Sequence, residues 1–171
     1  MITIRFASQT DIPHIQSVAR DACTATYSDI YPKTFIENFL NMAYSAENLQ
    51  RSIERDEQLD NRSFLVAEWE GEVVGYAQTA KEGEDSYELL RIYIQPEYQH
   101  RGIGQRFLRR FLDHLAPSDK LFAWVAKENV MGRAFYEKNG FKHTEEMSEM
   151  IEGKARIQLK MELDCAAALD P

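Results

Sequence analysis

Hydrophobic positions change their period several times along the chain, and each change marks an element. Ile2–Phe6 (ITIRF) alternates apolar and polar residues as a half-buried strand does. Thr10-Asp11-Ile12-Pro13 reads as a helix start with proline in the first turn, and the helix is predicted to run to about Tyr27. Tyr31-Pro32 interrupts it. Phe35, Ile36, Phe39, Leu40 and Ala43 then mark a second helix, and Ala46–Glu57 is a candidate third with Leu49 and Ile53 inward. Strand character returns over Phe64–Trp69 and 72–80, joined by Glu70-Gly71 as a hairpin turn, and again over 87–94.

The second half keeps alternating. Ile103, Phe107, Leu108, Phe111, Leu112 and Leu115 form one stripe of a 3.6-residue period and predict a helix over 103–115. A strand over 121–126 and a helix over 129–139 follow, with Gly140 as its left-handed cap. Residues 141–151 and 155–163 read as a closing hairpin around Glu152-Gly153, and 164–171 as a loose tail. The order is β-α-α-β-β-β-α-β-α-β-β, an α/β (α+β) chain, with the candidate third helix ahead of the sheet. At 171 residues and 44% hydrophobic, one substantial core and a single domain over 1–163 are expected.

Composition narrows the function classes. Lys and Arg number 20 against 28 Asp and Glu, a formal net charge of −8, which argues against a nucleic-acid surface and permits a cationic substrate. No apolar run of about 18 residues exists, and the first residues lack the apolar core and cleavage site of a signal peptide, so no membrane partner and a cytoplasmic location are expected. Cys23 and Cys165 make no redox or metal motif, and His14, His100, His114 and His143 show no ligand spacing, so no metal is expected.

The chemistry concentrates where the strand over 87–94 runs into Gln99-His100-Arg101-Gly102-Ile103-Gly104-Gln105 and a helix opens. That order brings unpaired backbone N–H groups and the positive end of a helix dipole to one point, the arrangement that binds a phosphate or pyrophosphate. A dinucleotide fingerprint would need glycine at 107, where Phe107 stands, and no Gly-Lys-Ser/Thr triplet of a P-loop occurs. Glycines at 102 and 104 would let the backbone approach diphosphate oxygens. Gln105, Arg106, Arg109 and Arg110 lie on the polar side of the helix, with Arg101 and Arg106 nearest the glycines. A bare tight turn beside a solvated arginine face would use the same residues.

Q-x-x-G-x-G after an apolar strand ending Ile94-Gln95-Pro96, with an amphipathic helix behind it, resembles the acetyl-CoA pyrophosphate loop of the GNAT N-acetyltransferase superfamily. Asn129…Ala134-Phe135-Tyr136-Glu137-Lys138-Asn139-Gly140-Phe141 is similar to a second segment of that superfamily. The resemblance implies the GNAT fold, a mixed central sheet of about seven strands flanked by helices, and acetyl-CoA as co-substrate. It implies cofactor contacts from Ile92, Tyr93 and Ile94, from Gln99 to Gln105, and from Asn129 and Tyr136, because the family parts its central strands to admit the pantetheine arm. Asn129 and Tyr136 are seven residues apart, close to two helical turns, so both would point from one face. Helix capping by Asn129 and core packing by Tyr136 account for the same positions.

Within the superfamily the chain resembles the PaiA-type polyamine acetyltransferases through ATYSDIYPKTFIENFLNMAYSAENLQRSI and SYELLRIYIQPEYQHRGIG. The acceptor implied is a small cationic amine such as spermidine. Acetylation of a protein N-terminus or lysine, or a CoA-binding regulator without catalysis, are the other readings, and a homodimer is left open. An amine near its ordinary pKa of ~10 must lose a proton before it attacks a thioester. Glu88 shares a strand face with Leu90, Ile92 and Ile94, whose apolar neighbourhood would raise its pKa, and several members of the superfamily carry a catalytic glutamate there. It is the candidate base, directly or through water; an exposed carboxylate among Glu82, Glu84 and Asp85 is the alternative. Tyr136 matches the family residue that gives the departing thiolate its proton. Cys23 has no histidine placed by sequence to activate it, which favours direct transfer over an acyl-enzyme.

Overall fold

The structure is a computed structural model that describes residues 1–168. Strand β1 (Ile2–Phe6) leads through a 3-10 turn at Gln9–Asp11 into α1 (Ile12–Tyr27), α2 (Lys33–Ala43) and α3 (Ala46–Glu57). Strands β2 (Phe64–Trp69), β3 (Glu72–Lys81) and β4 (Ser86–Ile94) follow, then α4 (Ile103–Leu112), β5 (Lys120–Ala126), α5 (Val130–Lys138), β6 (Lys142–Ile151), β7 (Lys154–Asp164) and α6 (Cys165–Ala168). The expected order stands, with Ala46–Glu57 a helix in its own right. The seven strands form one mixed sheet in the order β1-β2-β3-β4-β5-β7-β6. β1 with β2, β2 with β3, β5 with β7 and β6 with β7 pair antiparallel, whereas β4 and β5 pair in parallel, with Ser86, Tyr87 and Glu88 opposite Lys120, Leu121 and Phe122.

Local chemistry explains the boundaries. Pro13 enters the first turn of α1, where its missing N–H costs nothing, and Ser45 Oγ caps α3 by accepting from Asn48 N at 3.1 Å. In both Glu-Gly turns the two residues are left-handed: Glu70 and Gly71 at φ 50° and 87°, Glu152 and Gly153 at 49° and 80°. That geometry matches the twist of a two-residue hairpin. Gly140, at φ 91°, ends α5: its own N–H reaches Glu137 O at 3.1 Å and that of Phe141 reaches Tyr136 O at 3.0 Å, which satisfies two terminal carbonyls.

Helix α4 stops at Leu112, short of the expected Leu115. The chain after it tightens into i→i−3 bonds, His114 N to Phe111 O and Leu115 N to Leu112 O, both 3.1 Å. Pro117 disfavours helix at the residue before it, and Asp119 takes the Ala116 N–H at 2.7 Å. The tail also differs from expectation. Asp164 closes β7, and Cys165 opens a short helix, fully buried, with its N–H on Asp119 O at 3.3 Å; residues 169–171 of the expected loose tail lie outside the described residues.

The chain divides into two compact units. The first comprises Met1–Gln78 with Arg91–Arg110; its core joins Ile15, Val18, Ala19 and Cys23 of α1 and Leu49 and Ile53 of α3 to Phe64, Val66 and Tyr76 of the strands. Two aspartates are buried there with arginine partners. Asp11 accepts from both terminal nitrogens of Arg5 at 2.8 Å, and Asp56 accepts from Arg62 Nε at 3.1 Å and from the N–H groups of Ser63 and Phe64 at 2.6 and 3.0 Å. The second unit, Thr79–Leu90 with the chain from Phe111 onward, buries Leu121, Ala123 and Val125 of β5 with Leu159, Met161 and Leu163 of β7. Its outer strand β6 is exposed from Lys142 to Met150 and charged along its length, which discourages pairing by another chain.

Candidate active site

In the first unit, the segment after β4 forms a compact turn. Gln95 N bonds Val74 O at 2.8 Å, Pro96–Tyr98 makes a 3-10 turn, and Gln99 Nε2 reaches back to Ile94 O at 3.3 Å. His100 and Gly102 are both left-handed, at φ 61° and 80°. The first backbone bond of α4 runs from Arg106 N to Gly102 O at 3.1 Å, so the N–H groups of Ile103, Gly104 and Gln105 precede any intrahelical acceptor. Alternating left-handed residues ahead of a helix N-terminus form a concave set of amide donors that suits a diphosphate. Gly102 is required for its positive φ, and a Cβ there would approach only Gln105 Oε1, at 4.0 Å. Gly104 is a buried residue of the helix itself.

The arginine side chains have partners within the chain. Arg106 donates to Ile2 O at 2.8 Å, and Arg110 donates to Ile4 O at 3.3 Å while lying 5.5 Å from the Phe6 ring. Both tie α4 to β1, at the sheet edge where strand carbonyls need partners. The guanidinium of Arg101 lies over Trp69 and Tyr98. The side chains of Arg106 and Arg110 are thus engaged by β1 and that of Arg101 by two rings, and the backbone N–H groups of the turn are the donors that remain directed at one point.

Strand β4 brings Ile92, Tyr93 and Ile94 directly before this turn, all half-buried. The Tyr93 side chain points into the first unit: its hydroxyl lies 3.2 Å from that of Tyr27 and its ring 5.8 Å from Tyr76. Burial, followed by the neighbouring Tyr27 and Cys23, pushes the Tyr93 phenol well above its ordinary value. Gly75 on β3 is a residue that strand pattern alone did not single out: a Cβ there would stand 3.1 Å from Tyr93 O and 3.3 Å from Ile94 Cγ1. A lone glycine inside an apolar strand was the available signal. Arg91 was also missed. It donates to Gln78 Oε1 at 2.7 and 3.0 Å and to Ser52 Oγ at 3.2 Å, with Tyr44 and Phe64 rings at 5.2 and 4.8 Å. Cys23 is fully buried, and burial pushes its thiol up to about 12, which removes it as a nucleophile at neutral pH.

In the second unit, Glu88 is half-buried on β4 opposite Phe122. Burial, then the charge of Glu82, raises its carboxyl above the usual range, and Lys160 opposes this in part. Lys160 Nζ lies 4.5 Å from the Phe122 ring and 3.8 Å from Glu145 Oε2. A carboxylate raised in this way is a better base near neutral pH than an ordinary glutamate. Glu82, Glu84 and Asp85 are exposed. Asn129 stands just outside α5 as its N-cap, its Oδ1 accepting from Gly132 N at 2.9 Å, so the count of two helical turns to Tyr136 begins one residue before the helix. Tyr136 is buried, with its ring 5.5 Å from Phe135 and 5.1 Å from Phe141. Among the described residues no group of three His, Cys, Asp or Glu could hold a metal, and no helix is long and apolar enough to cross a membrane.

An open mixed sheet whose fourth strand runs into an amide-lined turn at a helix N-terminus defines a protein that takes a phosphate-bearing ligand at that turn. The sequence profile of the Acetyltransferase (GNAT) family matches residues 25–141, and the chain belongs to that family, whose members take the acetyl group from acetyl-CoA. It is 34% identical over 143 residues to a spermidine N(1)-acetyltransferase of Thermoplasma acidophilum, covering 82% of this chain and 88% of that protein. The crystal structure of the PaiA N-acetyltransferase of Thermoplasma acidophilum in complex with coenzyme A superposes with a TM-score of 0.77 at 31% identity, covering 96% of this chain and 99% of that one. The N-alpha-acetyltransferase RimI of Mycobacterium tuberculosis is 36% identical over 81 residues, 46% of this chain and 51% of that protein.

Proposed function

We propose that this chain acetylates a primary amine of a small polycation such as spermidine, by direct transfer from acetyl-CoA. The likeness to the spermidine N(1)-acetyltransferase, which runs through four-fifths of the chain, is the observation that carries the acceptor. The acidic balance of −8 and the carboxylates Glu82, Glu84, Asp85 and Glu88 favour a cation by long-range attraction. In this reading residues 1–163 work as one acetyltransferase domain located in the cytoplasm.

The co-substrate supplies an acetyl group activated as a thioester. Backbone N–H groups from Gln99 to Gln105 hold its pyrophosphate, those of Ile92 and Ile94 its pantetheine arm and thioester carbonyl, and Asn129 makes a further contact. Glu88, directly or through a water, accepts the proton that the ammonium must lose before its nitrogen can attack. Tyr136 donates a proton to the departing sulfur and is restored by the second proton, which the nitrogen loses as the tetrahedral intermediate collapses; amine and thioester become amide and thiol, and the first proton of the ammonium leaves from Glu88 to solvent. Cys23, with its raised thiol, supports transfer without an acyl-enzyme.

A second reading has a specific basis in the shorter likeness to RimI: an acceptor that is a protein N-terminus. Release of CoA from acetyl-CoA, followed with spermidine, spermine, amino acids and peptides at two ionic strengths, separates the two. Turnover with spermidine that loses apparent affinity as salt rises is expected. Turnover with peptides alone would replace the polyamine by an N-terminal acceptor, and CoA binding with no turnover on any amine would leave a regulator.

A further inference from the structure

Arg101 stands beside Gly102, the left-handed glycine of the turn, yet its guanidinium is turned onto protein. Its Cζ lies 5.3 Å from the Trp69 ring and 5.3 Å from the Tyr98 ring, and the rings are 6.0 Å apart at a tilt of 52°. The cation thus caps a tilted aromatic pair, one ring from the last residue of β2 and the other from the 3-10 turn that precedes the loop. Cation and ring faces attract, indole most strongly. The residue between Tyr98-Gln99 and Arg101 is His100, at φ 61°, a conformation that a residue with a side chain holds only when its surroundings over-determine it. Tyr98 is fixed ahead of it by the bond from its N–H to Gln95 O at 2.9 Å, and Arg106 anchors the helix behind it to β1.

We infer that Trp69 and Tyr98 are positioning residues for the pyrophosphate turn: acting through Arg101, they hold 100–102 in the conformation that aims the backbone N–H groups at one point. The inference rests on the proposed use of this turn for acetyl-CoA. Arg101 then serves the reaction by its stacking, and Trp69, on a strand remote in sequence, takes part in co-substrate affinity without touching the co-substrate. A preorganised donor set binds better because less ordering remains to be done on binding.

Calorimetry with acetyl-CoA and steady-state kinetics test this on Trp69→Ala, Trp69→Phe, Arg101→Met and the Trp69→Ala/Arg101→Met pair. Trp69→Ala is expected to raise the Kd and KM for acetyl-CoA about tenfold with kcat within about twofold, and Trp69→Phe, which keeps a ring, to recover most of the loss. The double variant should bind no worse than Arg101→Met alone, because both changes remove the same contact. Wild-type KM in Trp69→Ala, or losses that add in the double variant, overturns the inference. Tyr98→Ala gives the same reading from the other ring if Trp69→Ala does not fold. Gly102→Val separates the two levels: unchanged acetyl-CoA binding there removes the use of the turn itself, whereas weakened binding beside a normal Trp69→Ala removes only the clamp.

Discussion

Asp11 and Asp56 in the first unit and Glu88 in the second are all carboxylates withdrawn from water, and they are treated in opposite ways. Burial alone would raise the Asp11 carboxyl, but hydrogen bonds and charge from Arg5, with help from Ser8, outweigh it and hold Asp11 below the usual range. Asp56, 2% exposed, is surrounded by Arg62 Nε and the N–H groups of Ser63 and Phe64, and so staples the end of α3 to the start of β2. Glu88 has no arginine among the described residues; burial dominates and its carboxyl rises. The arginine-paired Asp11 is held toward its charged form and Asp56 holds structure through its hydrogen bonds, whereas Glu88, where burial outweighs Lys160, keeps an affinity for protons that chemistry can use.

Asp56→Ala tests the first half of this contrast hardest. It leaves Arg62 and two strand-start N–H groups without their acceptor, and a loss of about 3–5 kcal/mol is expected in denaturant unfolding. A loss under about 1 kcal/mol would mean that the staple is only decorative. Tyr136→Phe carries the division to the buried phenol of α5. Turnover is expected to fall ~100-fold while acetyl-CoA binding and melting stay near wild type. A variant with normal turnover, the chemical step being rate-limiting, would return Tyr136 to packing against Phe135 and Phe141.

Asp11→Asn should show the smallest effect, about 1–3 kcal/mol at neutral pH. Its sign with pH follows from the lowered carboxyl. The folded pKa lies below the unfolded value of ~3.9, so the contribution is present above that value and is lost as pH falls through the folded pKa. Wild type and variant should therefore converge in acid. A stability gap that stays unchanged as the pH is lowered until the native protein itself unfolds in acid would detach it from the Arg5 pair.

The same contrast explains what could be read from the chain before its structure. Elements whose cause is local were legible: the Glu70-Gly71 and Glu152-Gly153 turns, the Gly140 cap, the stripe of α4 and the loop from Gln99 to Gly104. Partners set by strands distant in sequence were not. Arg106 and Arg110 were readable as a basic face, but their acceptors, Ile2 O and Ile4 O, lie more than a hundred residues away. Trp69, Gly75 and Arg91 gained their roles only from β2, β3 and β4 folding together. The raised carboxyl of Glu88 was foreseen in direction, but the nearest apolar neighbour on its strand face, Leu90, is exposed, and the charge of Glu82 adds to burial in raising it. Asn129 was legible both as a cap and as a cofactor contact, readings that do not exclude each other, and its hydrogen bond from Gly132 N shows the cap.

The central claim is that Glu88 is the base of an acetyl transfer to a cationic amine, and the pH dependence of kcat/KM with spermidine for wild type and Glu88→Gln tests it most directly. A base must be deprotonated, so wild-type activity should fall in acid along a limb whose midpoint lies above the ordinary glutamate value of ~4.3. The sign for stability is opposite to that for Asp11: with its folded pKa above its unfolded one, Glu88 costs stability once pH passes the folded value, so the Gln variant should melt no lower than wild type at neutral pH. The account predicts a well-folded Glu88→Gln enzyme that binds acetyl-CoA, turns over ~100-fold or more slowly and has lost the acid limb. A variant with wild-type rate and the same limb would contradict it.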